Sequence, residues 1–123
     1  MGLILISLLR SLLLTLVIEL FLAAALKMHS GKDLLIVALA NILTNPIVNY
    51  CYYWAIYFFS AYSIYTILIL LALEVFAVFT EYLIFKRLLS YDRIGKLKLS
   101  LILNGVSFMI GLFLSALLRW IGA

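Results

Sequence analysis

The sequence predicts an all-α fold in which four transmembrane helices form one bundle and one domain. Three observations support this prediction. Of the 123 residues, 68% are hydrophobic and 11% are charged, and the mean hydropathy is +1.29. Four apolar runs each approach the roughly 20 residues that a helix needs to cross a bilayer. The basic residues lie between or beside these runs.

This composition excludes several classes of protein. A soluble domain carries about 45–50% apolar and about 25% charged residues, and so short a chain has too little interior to hide its apolar surface. A soluble enzyme domain, a disordered tail and a nucleic-acid module are therefore excluded. The net charge of +4 is explained by basic residues that contact anionic lipid head groups and set the topology. The single cysteine, Cys51, rules out an internal disulfide or a cysteine metal cluster. No metal or other cofactor is expected.

The predicted spans are separated by polar or aromatic segments. Asp33 is a suitable N-cap for the second span. An uncharged run rich in Tyr and Trp, residues 50–65, separates the second and third spans. We expect it to be an interfacial connector, because these rings collect at the membrane–water boundary. The spans are predicted at residues 8–26, 34–54, 63–85 and 98–118.

Charge sidedness predicts the topology. Two loops, those after the first and third spans, lie on one side of the membrane. The other side carries only Arg10 and Arg119, beside the termini. The positive-inside rule then places both basic loops in the cytoplasm and both termini outside, in a multi-pass protein of the plasma membrane. The loops after the first and third spans carry Lys27, Lys32, Lys86, Arg87, Arg93, Lys96 and Lys98.

Polar side chains inside the spans are the candidate functional residues. An ionised carboxylate in hydrocarbon costs about 2.5–3.5 kcal/mol on insertion scales, so acids in these spans should face other helices or a wet cavity. The polar residues recur mostly at spacings of three or four, which places them on one face of each helix. The residues predicted to bind a proton or small cation are Glu19, Asn41, Thr44, Asn45, Glu74, Glu81, Asn104 and Ser107.

The distance of these residues from the loops predicts where the pocket lies. Glu19 and Asn41 are each eight residues from a charged loop residue, and Glu81 is five. We therefore expect a polar pocket reached from the basic-loop side, with a narrower polar path beyond it. Pro46 removes a backbone hydrogen bond and is expected to kink or open the second helix. The alternative is that the Asn residues and the proline simply hold helices together.

The two halves of the chain share a pattern. Each half reads Glu, basic loop, Asn-x-x-Ser/Thr, with 22 positions between Glu19 and Asn41 and 23 between Glu81 and Asn104. This predicts two tandem helical hairpins, and transporters often contain such repeats.

The first span also carries a family resemblance. Glu19 is followed by Lys27 at eight positions and by Gly31 at twelve. With the chain length and four spans, this spacing resembles the small multidrug resistance exporters over about a tenth of the chain. The resemblance implies exchange of protons for cations on Glu19. The Asn-rich, proline-containing second span and the acids of the third depart from that family's pattern.

Together these features predict a small transporter that binds a proton or small cation within the bilayer and assembles as a homo-oligomer. One alternative is a non-catalytic accessory or structural subunit of a larger membrane complex. Another is an intramembrane enzyme acting on lipid or peptide. No nucleophile–base constellation of the kind that an enzyme requires is visible in the sequence, so the enzyme hypothesis is less favoured than the other two.

Overall fold

The computed structural model describes residues 2–60 and 63–122, and within them all regular secondary structure is helical. All four helices are long and apolar enough to cross a membrane, which confirms the all-α, multi-pass fold class. Each helix packs against the next in the chain, and α1 also meets α4, so the four form a closed bundle. The helices are α1 (Gly2–Ala25), α2 (Gly31–Phe59), α3 (Ile64–Leu88) and α4 (Lys96–Trp120).

The helix ends differ from the predicted spans. The first helix begins at Gly2 and not at residue 8, and the second continues to Phe59 and not only to residue 54. Most of the predicted aromatic connector is therefore helical. Backbone groups must find hydrogen bonds within their own segment at membrane depth, and this favours helix over loop for an apolar run. Tyr62 of that connector and the side chain of Arg119 lie outside the described residues.

The last turns of α2 carry exposed aromatic rings. The Trp54 ring stacks on Phe58, with 5.7 Å between centroids, and meets Tyr50 and Tyr57 edge to face. Tyr57 and Phe58 are largely exposed. Exposed Trp and Tyr rings are typical of a membrane–water boundary, so the interfacial position predicted for this segment stays a prediction.

Hydrogen bonds join the two basic loops. The Asp33 carboxylate accepts hydrogen bonds from both the backbone N–H and the hydroxyl of Ser90, each at 3.0 Å. The Tyr91 hydroxyl donates to the Leu26 carbonyl at 2.7 Å. Both loops therefore lie at one end of the bundle, the loop side, and the chain termini lie at the other end, the terminus side.

Large apolar side chains fill the loop-side half of the bundle. Val37, Phe85, Leu99 and Leu103 are fully buried there. We call this cluster the loop-side plug, because it occupies the space between the helices beneath the basic loops. It comprises Ala23, Met28, Ile36, Val37, Ala40, Phe85, Leu89, Tyr91, Leu99 and Leu103.

The Asp33–Ser90 contact is expected to stabilise the loop side. Replacing Asp33 with Ala should lower the free energy of unfolding by about 1.5–3 kcal/mol, because hydrogen bonds to charged groups contribute about that much. Thermal or detergent-induced unfolding of the purified protein measures this change. Asp92→Ala is the matched control, since Asp92 is an exposed carboxylate in the loop that contains Ser90. Equal destabilisation by the two variants would contradict the prediction.

Candidate functional site

Two glutamates from different hairpins are completely buried. Glu19 of α1 and Glu81 of α3 are both 0% exposed, and their carboxyl groups lie close enough to interact electrostatically. Within the described part of the chain, both oxygens of Glu19 and Oε1 of Glu81 have no hydrogen-bond partner. Buried polar atoms normally have partners, and leaving one without costs about 1–3 kcal/mol or more. A proton, water or cation bound between these carboxyls satisfies such atoms.

The remaining oxygen of the pair, Oε2 of Glu81, has a hydrogen-bond partner. Glu81 Oε2 lies 3.0 Å from Thr44 Oγ1, which is also 3.0 Å from the Ala40 carbonyl oxygen. A hydroxyl group has one proton to donate and two lone pairs to accept with. Thr44 can therefore donate to an ionised Glu81, or it can donate to Ala40 and accept the proton of a neutral Glu81. This contact suits Glu81 both with and without a proton.

An asparagine stands beside each glutamate in the same hairpin. Asn41 lies near Glu19, and Asn104 lies near Glu81, but neither amide makes a hydrogen bond of normal geometry to the carboxylate. Each asparagine donates its Nδ2 to the backbone carbonyl four residues earlier, at 3.0 Å. The two hairpins therefore present their acid and amide in corresponding ways, as the sequence pattern predicts for these four positions.

The next residues of the two hairpins differ in their contacts. Thr44 of the first hairpin reaches across to Glu81. Ser107, the matching residue of the second, donates to the backbone carbonyl of Asn104 at 3.1 Å, and Glu19 keeps both oxygens without a hydrogen-bond partner among the described residues. The two carboxyl groups are therefore chemically unequal, with Glu19 the less well solvated by the protein.

A cavity of about 660 Å³ occupies the terminus-side half of the bundle, and side chains of all four helices line it. Asn41 and Thr44, which adjoin the two buried glutamates, stand at its inner end. The structure thus brings the eight predicted residues together, with two acids beyond the inner end and six residues in the wall. Those six are Asn41, Thr44, Asn45, Glu74, Asn104 and Ser107.

The prediction that the pocket is reached from the basic-loop side is wrong. The cavity lies on the terminus side, and the loop-side plug fills the other half. Side-chain volume explains the difference: Ser11, Thr15 and Gly111 leave space between the helices on the terminus side, whereas Phe85 and Leu99 fill it on the loop side. Glu19 and Glu81 lie toward the loop side, as predicted, but the depth of these residues does not indicate which half of the bundle contains the cavity.

The Asn–Pro segment of α2 holds helices together. Asn45 Nδ2 donates to Thr15 Oγ1 of α1 at 3.1 Å, and Asn49 Nδ2 donates to the Asn45 carbonyl at 2.9 Å. The helix is continuous through Pro46, so of the predicted kink or opening, α2 shows no break at this residue. The Asn45 side chain lines the cavity and also bridges two helices, and Thr44 is the member of this segment that contacts a carboxylate.

Arg10 is a site residue that sequence reasoning missed. The prediction placed it at the terminus-side boundary, but α1 begins at Gly2, so Arg10 lies within the helix and lines the cavity. A signal was present in the sequence: Arg10 lies three residues from Ser7 and next to Ser11, both on the polar face of α1. Residues three positions apart share a face of a helix, so the spacing from Ser7 places Arg10 on that face.

No known protein family, curated protein or solved structure matches this chain. The resemblance to the small multidrug resistance exporters therefore rests on chain length, span number and first-helix spacing alone. What the protein does has to follow from the chemistry of its buried glutamates and its cavity.

Proposed function

We propose that this protein is a small membrane transporter that binds a proton or small cation between Glu19 and Glu81. The observation that supports the proposal most strongly is the set of three buried carboxylate oxygens without hydrogen-bond partners among the described residues. Acids within membrane spans are expensive and mark ion pathways and proton relays. These two come from separate hairpins and adjoin a polar cavity, which suits a site that is loaded and emptied.

The contacts around the pair support a route for the ion. The cavity leads from the terminus side to Thr44, whose hydroxyl contacts Glu81. The loop-side plug closes the other direction, and the Asp33–Ser90 hydrogen bonds hold the loops above it. Release to the loop side requires these contacts to part, which is alternating access around a fixed site.

The basic loops support an orientation for this route. With these loops in the cytoplasm by the positive-inside rule, the cavity faces the outside of the plasma membrane. We expect a homo-oligomer in the bilayer, because a single four-helix bundle rarely encloses a complete pathway. The proposed partners are therefore the lipid bilayer, the transported ion and further copies of the chain.

Ion flux through reconstituted protein tests the proposal. In liposomes carrying a pH-sensitive dye and a proton or Na⁺ gradient, the unsubstituted protein should dissipate the gradient. Glu19→Gln and Glu81→Gln should each lower the rate at least tenfold while leaving folded protein. Asp92→Asn makes the same carboxyl-to-amide change at an exposed loop position and should leave the rate unaltered.

Full flux in both glutamine variants would overturn the assignment. If the purified chain shows no flux and migrates only in a fixed larger assembly on blue native electrophoresis of its source membrane, the accessory-subunit alternative replaces it.

A further inference from the structure

Two residues of opposite charge line the same cavity on the terminus side of the buried acids. They are Arg10 of α1 and Glu74 of α3. Arg10 lies fifteen residues before Ala25, and Glu74 lies fourteen residues before Leu88. At 1.5 Å per residue, both stand about 21–23 Å from the loop-side ends of their helices. The two charges are therefore at the same depth, on helices that do not pack directly against each other.

These charges do not neutralise each other directly. Within residues 2–60 and 63–122, no ion pair joins Arg10 to Glu74, and neither side chain makes a hydrogen bond. Arg10 is exposed and Glu74 is half-buried, and both side chains border the cavity between the helices. The cavity volume of about 660 Å³ is within the range of about 300–1,000 Å³ that small-molecule sites occupy.

We infer that the cavity binds a small zwitterion, with its amine at Glu74 and its carboxylate or phosphate at Arg10. A guanidinium group presents a planar fork of donors that matches either anion, and a carboxylate is the natural partner of an ammonium group. A simple cation satisfies Glu74 and leaves Arg10 unpaired, and a simple anion does the reverse. A ligand with both charges pairs both residues at once.

Other residues of the cavity wall suit the body of such a ligand. Thr15, Asn49 and Ser107 contribute hydroxyl or amide groups to the wall and are half-buried, and Leu14 and Leu70 contribute apolar surface. A short alkyl chain with polar ends fits this mixture. The inference rests on the proposed function, because it makes this zwitterion the solute that moves with the proton or cation.

The same chemistry has two sources, a soluble amino acid and the head group of phosphatidylethanolamine. Binding measurements in phosphatidylglycerol nanodiscs separate them. The soluble probes are the ω-amino acids from glycine to 6-aminohexanoate, each compared by calorimetry with the alkylamine and the alkyl carboxylate of equal length. The lipid probe is phosphatidylethanolamine added to the nanodiscs, with retention on the released protein measured by native mass spectrometry.

We expect one zwitterion to bind at least tenfold more tightly than either matching half-ligand. Arg10→Gln should reduce its affinity to that of the amine, and Glu74→Gln should reduce it to that of the carboxylate, while Arg10→Lys keeps part of the preference. Arg93→Gln and Asp92→Asn remove the same charges from an exposed loop and should change nothing. Gel filtration and circular dichroism check that each variant is folded.

Two results would overturn the inference. One is the absence of binding by every ω-amino acid together with no retention of phosphatidylethanolamine. The other is an Arg10→Gln variant that binds each probe as the unsubstituted protein does, which assigns Arg10 to the lipid head groups. If either occurs while Glu19→Gln and Glu81→Gln still abolish ion flux, the proposed function stands without a zwitterionic solute.

Discussion

Replacing Glu19 with methionine is expected to stabilise the bundle and to abolish its ion flux. Glu19 is 0% exposed, and neither of its carboxylate oxygens has a hydrogen-bond partner in the described structure. Removing an unsatisfied buried polar group should recover about 1–3 kcal/mol of folding free energy. Methionine has a similar length and adapts to irregular core space, so the substitution leaves no cavity of consequence.

Opposite changes in stability and activity separate a functional acid from a structural one. Unfolding in a detergent titration measures the stability, and ion flux in liposomes measures the activity. Val17→Met is the matched control, because Val17 is an exposed apolar residue on the same helix, and both readings should stay near those of the unsubstituted protein. A Glu19→Met protein that is markedly less stable would show that the carboxyl group holds the bundle together, contrary to our proposal.

Filling the cavity from α4 is expected to block the route to Glu81. Gly111 lines the cavity, and a Cβ added there meets no atom within 4 Å. In Gly111→Trp, the tryptophan side chain therefore starts without a clash at its Cβ and extends into the cavity of about 660 Å³. We expect at least a tenfold loss of flux with little change in stability, because the ring occupies the path between the terminus side and Thr44.

A second glycine on the same helix supplies the control for this substitution. Gly105 is exposed, does not line the cavity, and likewise has no atom within 4 Å of an added Cβ. Gly105→Trp therefore adds the same ring on the outer surface of the bundle and should leave flux unaltered. Equal flux in the two tryptophan variants would mean that the ion does not pass through this cavity, even if Glu19 and Glu81 are required.

Much of the site was predictable because it depends on composition and helical spacing. Four apolar runs with few charges have no stable place in water, so the four helices follow from hydropathy alone. The high cost of a carboxylate in hydrocarbon puts Glu19 and Glu81 inside the bundle, and spacings of three and four put the asparagines on the same faces. These are properties of one helix in a bilayer, so they can be predicted without knowing which helices pack against it.

The sequence by itself therefore determined the helical class, the inward-facing acids and the approximate depth of the polar residues. Only the tertiary structure decided which half of the bundle is hollow, that Thr44 reaches Glu81 from the other hairpin, and that Arg10 and Glu74 line one cavity. The physical reason is that space between helices is the sum of side-chain volumes from all four. The sequence of one helix does not contain that sum. Small residues that meet at the terminus side leave the space between the helices open, and Phe85 and Leu99 fill this space at the loop side.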